Sequence, residues 1–125
     1  MVGASGLRVS RLGLGTSTWG ADTPEEDTAT ILRNFIDAGG TLIDASPAYA
    51  GGRAEGILGT LLSREVSRTD LVISSAAGVD PTLPLGRRVD CSRRHLIASL
   101  DNTLSVLGTD YLDLWSVGFW DGKTP

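Results

Sequence analysis

The stretch LIDASPAYAGG, residues 42–52, places one acid, Asp44, where an apolar run stops, and one phenol, Tyr49, just beyond it. A carboxylate and a phenol so close can share or pass a proton, the work of a general acid and its partner. The plain alternative is structural. Asp44 would accept hydrogen bonds from loop N–H groups, and Tyr49 would anchor the loop with an apolar ring and a polar tip. Spacing alone favours that plainer role.

Other residues with chemical potential are more isolated. Cys91 is the single cysteine, which excludes an internal disulfide and a cysteine-based metal cluster and suits a reducing cytosol. It reads as a loop or helix-entry thiol. His95, the single histidine, falls in the first turn of a helix beside Arg93 and Arg94, and without a second ligand nearby it reads as a surface or packing residue. GLGTSTWG, residues 13–20, has glycines at a strand end but neither the spacing nor the following helix of a dinucleotide fingerprint. Arg53 and Glu55 open a helix and read as surface capping or pairing residues. Trp115, Trp120 and Tyr111 suit either a pocket wall or a core.

Composition narrows the classes further. The chain has 125 residues, 41% hydrophobic and 21% charged, as expected of one globular unit. Its 15 acidic against 11 basic residues leave a net charge of -4, so no field draws nucleic acid or an anionic membrane. The first ten residues, MVGASGLRVS, lack a signal peptide's apolar core, and no run approaches the roughly 20 apolar residues of a membrane span. The expected compartment is the cytoplasm.

The elements that position these residues alternate. Residues 7–15 read as a first strand. The segment ADTPEEDTATILRNFIDAGG then reads as a helix, with Thr23 as N-cap, Pro24 as first helical residue, Glu26 completing a capping box and Gly39 closing it. Thr28, Ile31, Leu32, Phe35 and Ile36 lie on one stripe. TLIDAS is a second strand. RAEGILGTLLSRE is a second helix, with a stripe of Ala54, Ile57, Leu58, Leu61 and Leu62, and residues 71–78 are a third strand. A polar surface loop from Val79 to Cys91 leads to a third helix, capped by Ser92 and ended by Gly108, with Leu96, Ile97, Leu100, Leu104 and Leu107 on one face. DYLDLWSVGF is the fourth strand. Such alternation, with nearly continuous apolar strands, predicts βαβ units and a parallel sheet. A four-stranded piece of this kind has two bare edges, which predicts a partner or a further stretch of chain to cover them.

In an α/β architecture the functional loops leave the carboxyl ends of the strands. Those ends are Gly15 to Gly20, then Asp44, Ser46 and Tyr49, then Ser74 to Gly78, then Trp115, Ser116, Gly118 and Trp120. Only Asp44 and Tyr49 among them exchange protons.

Together, Trp19-Gly20 after LGLGT, then AGGTLIDASPAYAGGRAEGILG, RTDLVISSAAG and SRRHLIASLDNTLSVLGTDYLDLW resemble the aldo-keto reductase superfamily in order and spacing. The resemblance implies an α/β fold of the (β/α)₈ TIM-barrel type that reduces a small-molecule carbonyl with NADPH. Residues 1–125 would form its amino-terminal half, since a complete barrel takes about 250 residues. It also implies catalytic roles for Asp44 and Tyr49, and cofactor contacts from Thr16, Trp19 and Asp44. The family's catalytic lysine falls on Ala76 and its histidine on Gly118, neither of which can donate a proton or carry charge. Three readings follow: an NADP-dependent oxidoreductase, a catalytically silent relative that binds a cofactor or partner, and a half-barrel that oligomerises through its open edges.

Overall fold

The computed structural model describes residues 1–80 and 82–124. Pro81, read above as part of the long loop, and the final Pro125 lie outside them. Four strands form one parallel sheet in the order β1-β2-β3-β4, where β1 is Gly13–Gly15, β2 Leu42–Asp44, β3 Val72–Ala77 and β4 Leu114–Val117. Each crossover carries a helix: α1 Glu25–Asp37, α2 Arg53–Arg64 and α3 Arg93–Leu107. β1 and β4 are the two edges. Among the described residues, no helix is long and apolar enough to cross a membrane.

The first strand is shorter than its sequence predicts. Only Gly13–Gly15 pairs with β2; upstream, Ser10 spends its hydroxyl and N–H on residue 41, 42 and 12 groups instead of a ladder. The start of α1 also differs. Pro24 is the N-cap and no side chain caps the helix. Thr23, expected there, turns its hydroxyl to Thr18, 2.8 Å away, and so ties the loop after β1 instead. No capping box with Glu26 forms, although three acids, Glu25, Glu26 and Asp27, still face the positive end of the helix dipole. The end of the helix follows expectation: Gly39 takes φ +86, and the N–H groups of Gly39 and Gly40 close on Ile36 and Phe35.

The other helix boundaries are local as well. Ser92 caps α3 by accepting the His95 N–H, and Gly108 ends it at φ +65 with its N–H on Ser105. The core lies between the sheet and the helices. Leu32 of α1, Ile43 of β2, Leu58 of α2, Ile73 of β3 and Leu107 of α3 are all essentially sealed from solvent. Each such side chain contributes about 1.5–3 kcal/mol of apolar burial. The α3 stripe is narrower than its pattern suggests, for Ile97 is 48% exposed while the polar Thr103 is buried. Thr103 is buried because α2 supplies it with a partner, described below. α2 and α3 approach closely at Gly59, where any Cβ would collide with the Val106 carbonyl oxygen.

Candidate active site

The carboxyl end of β2 delivers Asp44 and the turn that carries Tyr49. Ser46 starts this turn: its hydroxyl accepts the Ala48 N–H at 3.2 Å and its carbonyl accepts the Tyr49 N–H at 3.1 Å. The Tyr49 ring then packs against the core cluster. Its hydroxyl donates to Asp44 Oδ2 at 2.8 Å. The chain leaves through three consecutive positive-φ residues, Ala50 at 50°, Gly51 at 65° and Gly52 at 91°, before α2 begins. A non-glycine residue in that conformation costs about 1 kcal/mol or more, so strain sits directly after the phenol.

Thr16 and Trp19 support this arrangement from the neighbouring strand. The Thr16 N–H and hydroxyl both bond the Asp44 carbonyl, at 3.1 and 3.0 Å. Trp19 is 2% exposed and belongs to the core cluster, and its N–H returns to the Thr16 carbonyl. Both side chains are buried; Thr16 fixes the backbone at Asp44 directly, and the Trp19 N–H holds the Thr16 carbonyl.

A cleft of about 330 Å³ opens above the pair, lined by Asp44, Ser46, Tyr49, Ala76, Gly118 and Phe119 among others. Register explains the convergence. Asp44 pairs with Ser74 and Ala76 with Ser116 in a parallel ladder, so side chains two residues apart on adjacent strands share the cleft face. A Cβ on Gly118 would stand 3.3 Å from the Ala76 Cβ, so the small size of both residues keeps the cleft open. Phe119 completes the rim, whereas Trp120 is 88% exposed and Tyr111 lies at the opposite end of β4. The sequence reading passed over Phe119; its position next to Gly118 at the strand exit was the available signal.

Among the described residues that line the cleft, the electrostatics are those of a carboxylate with a phenol and no cation. The hydrogen bond to Asp44 raises the Tyr49 pKa above its ordinary 10.0, and burial and the Asp44 charge push the same way. Among the described residues, the Asp44 carboxylate takes the Tyr49 hydroxyl and no loop N–H, so the structural role expected for it is replaced by the phenol bond.

Glu55 corrects its surface assignment. It is 1% exposed, on the core side of α2, and receives the Ser75 hydroxyl at 2.9 Å and the Thr103 hydroxyl at 3.3 Å. Burial raises its pKa, opposed by those two hydrogen bonds. It ties α2 to α3 and to the strand that carries Ala76. Cys91 is buried beside the Phe119 carbonyl, 3.4 Å from its sulfur, and burial raises its pKa, with Asp121 and Asp90 adding to the rise. A thiol held protonated in this way is a poor nucleophile.

Four parallel strands with intervening helices, and a proton-bearing pair at their carboxyl ends, define part of a TIM-type α/β barrel. Residues 11–125 match the aldo/keto reductase family, and the chain belongs to that family of oxidoreductases. The aldo-keto reductase YhdN of Bacillus subtilis is 32% identical over 127 residues, covering 97% of this chain and 38% of the relative. Two solved Pseudomonas aeruginosa structures, each provisionally named an aldo-keto reductase, are 38% identical, with TM-scores of 0.77 and 0.81. They cover 90% and 94% of this chain, which spans 42% and 45% of theirs.

Proposed function

We propose that this chain contributes the Asp44–Tyr49 portion of an aldo-keto reductase site that reduces a small-molecule carbonyl with NADP(H). The observation that carries this reading is the 2.8 Å bond between Tyr49 and Asp44 inside the cleft at the carboxyl ends of the strands. A bound nicotinamide cofactor supplies hydride. Tyr49 is the residue of the cleft that can give a proton to a carbonyl oxygen, and Asp44 fixes the direction of its hydroxyl.

The fit to the cofactor is partial. Ala76, Gly118 and Phe119 leave space and apolar surface for a flat ring. Among the described residues, the cleft offers phosphates no cation, and its only charged side chain is the Asp44 carboxylate. Residues able to hold the phosphate end are therefore sought outside this cleft, in a longer chain or a partner.

A second reading, a silent relative that binds without turnover, draws on a specific observation. Tyr49 donates its hydroxyl hydrogen bond to Asp44, and a raised pKa makes it a weaker acid toward a carbonyl. With Ala76 and Gly118 facing it, no group among the described cleft residues other than Asp44 tunes or orients the transfer. General acid catalysis is commonly worth about 10² to 10⁴ in rate, so losing most of it leaves slow turnover. The homo-oligomer expected from the two open sheet edges is a further proposal, independent of either reading.

NADPH titration by fluorescence, with turnover assayed on simple aldehydes, separates the two. Saturable binding with aldehyde-dependent NADPH oxidation that falls at least tenfold in Tyr49→Phe supports the reductase. Binding with turnover absent, or unchanged in Tyr49→Phe, favours the silent relative. Sedimentation of the same sample reports the oligomer.

A further inference from the structure

We infer that the Asp44–Tyr49 cleft is a binding site for a primary alkylammonium group. This goes beyond the reductase reading and does not require hydride transfer. Among the described residues, Asp44 is the single charged residue lining the cleft. The two ion pairs of the described residues, Arg33–Glu65 and Arg68–Asp113, lie elsewhere and leave Asp44 without a cation. The Tyr49 hydroxyl contributes a hydrogen bond to it but no positive charge.

Acceptor geometry selects the kind of cation. The Tyr49 hydroxyl donates to Oδ2, so, among the described residues, its own oxygen lone pairs and Asp44 Oδ1 remain able to accept. An ammonium group, a compact charge with three rotatable donors, can address both. A guanidinium fork prefers both carboxylate oxygens at once, and its second arm would have to share Oδ2 with the phenol, so the fork fits less well than an ammonium. Beyond the charge, the walls are Ala45, Ala48, Ala76 and Ala77, with Phe119 at the rim. They suit a short alkyl stem, and an aromatic face beside a cation adds attraction. The volume of about 330 Å³ admits such a ligand. An anion would face the Asp44 charge with no cation in the described lining to offset it, and is disfavoured.

The test follows the alanine methyl signals by NMR on the full chain without cofactor, titrating n-butylammonium chloride at constant ionic strength. The controls are 1-butanol and guanidinium chloride. A saturable shift of the Ala76 methyl is expected, with half-saturation between about 1 and 30 mM, as suits a partly exposed ion pair with modest apolar backing. Butanol and guanidinium should each require at least fivefold more. Asp44→Asn should abolish saturation, and Ala76→Leu, which fills the cleft, should do the same with Tyr49 ring signals as reporter. Near-ultraviolet circular dichroism verifies that both variants fold. No shift, an equal response to butanol, or saturation that persists in folded Asp44→Asn overturns the inference, whatever the outcome of the NADPH titration.

Discussion

The two ends of the sheet treat a carboxylate in opposite ways. At the amino ends of β3 and β4, Asp113 accepts Arg68 Nη2 at 2.6 Å and the Ile73 N–H at 2.8 Å. Arg68 also donates to the Leu71 and Tyr111 carbonyls and stacks 4.0 Å over the Tyr111 ring. Both partners are largely buried, with side chains 14% and 18% exposed. At the carboxyl ends, Asp44 is exposed, has a phenol instead of a cation, and borders a cleft. The first arrangement pairs its opposite charges and stitches two strands together, leaving Arg68 Nε as its one unpartnered buried polar atom among the described residues. The second leaves acceptor capacity and space, and those are what a ligand needs. The contrast accords with the division of labour in TIM-type barrels, with stability at the amino end and function at the carboxyl end.

Removing each acid should expose the contrast most strongly. Asp113→Ala leaves a buried guanidinium and the Ile73 N–H unpaired, and should cost about 3 kcal/mol in urea unfolding. Asp44→Ala should cost less than about 0.5 kcal/mol, since an exposed carboxylate loses little. Equal losses would erase the distinction between the two ends.

Glu55 lies between these extremes, buried like Asp113 yet without a cation. Glu55→Ala strands the Ser75 and Thr103 hydroxyls and should cost about 2 kcal/mol in the same assay. Its raised pKa has a definite sign. The folded state favours the protonated form, so this contribution is fully present below the unfolded value of 4.5 and is lost as pH rises through the folded one. Glu55→Gln removes the titration, so its stability should decline less than wild type over that rise. Parallel stability–pH curves would contradict the assignment.

The smallest effects concern Tyr49. Spectrophotometric titration, with Tyr49→Phe subtracted to remove Tyr111, should place Tyr49 above 10.0. Asp44→Asn should bring it down toward that value, because it deletes the charge and weakens the bond that raise it. Ala76→Lys, which puts a cation into the cleft, should lower it further while changing stability by less than about 1 kcal/mol. A Tyr49 pKa indifferent to both substitutions would show that the pair is uncoupled in solution.

Much of the fold was legible because it is written in local chemistry. The glycines at 39 and 108 and the Ser92 cap act within a few residues, and the Leu58 and Leu61 stripe needs only helical period. Where a residue had an alternative partner outside its own helix, the reading failed. Thr23 left its helix for Thr18, and Glu55 found hydroxyls 20 and 48 residues away. The sequence marked Asp44 and Tyr49 as neighbours, but their bond depends on the Ser46 turn and the positive-φ exit together.

By itself, then, the sequence determined the alternation of strands and helices, the faces they bury, the family pattern, and the placing of one acid and one phenol at a strand end. These follow from periodicity, capping and spacing, which act along the chain. Only the tertiary structure decided that Glu55 is a core residue and that Ala76 and Gly118 abut to open the cleft. It also decided that Arg68 is taken by Asp113 while Asp44 is left to a phenol. Burial and charge pairing are set by side chains that meet across the sheet, at separations no local pattern encodes.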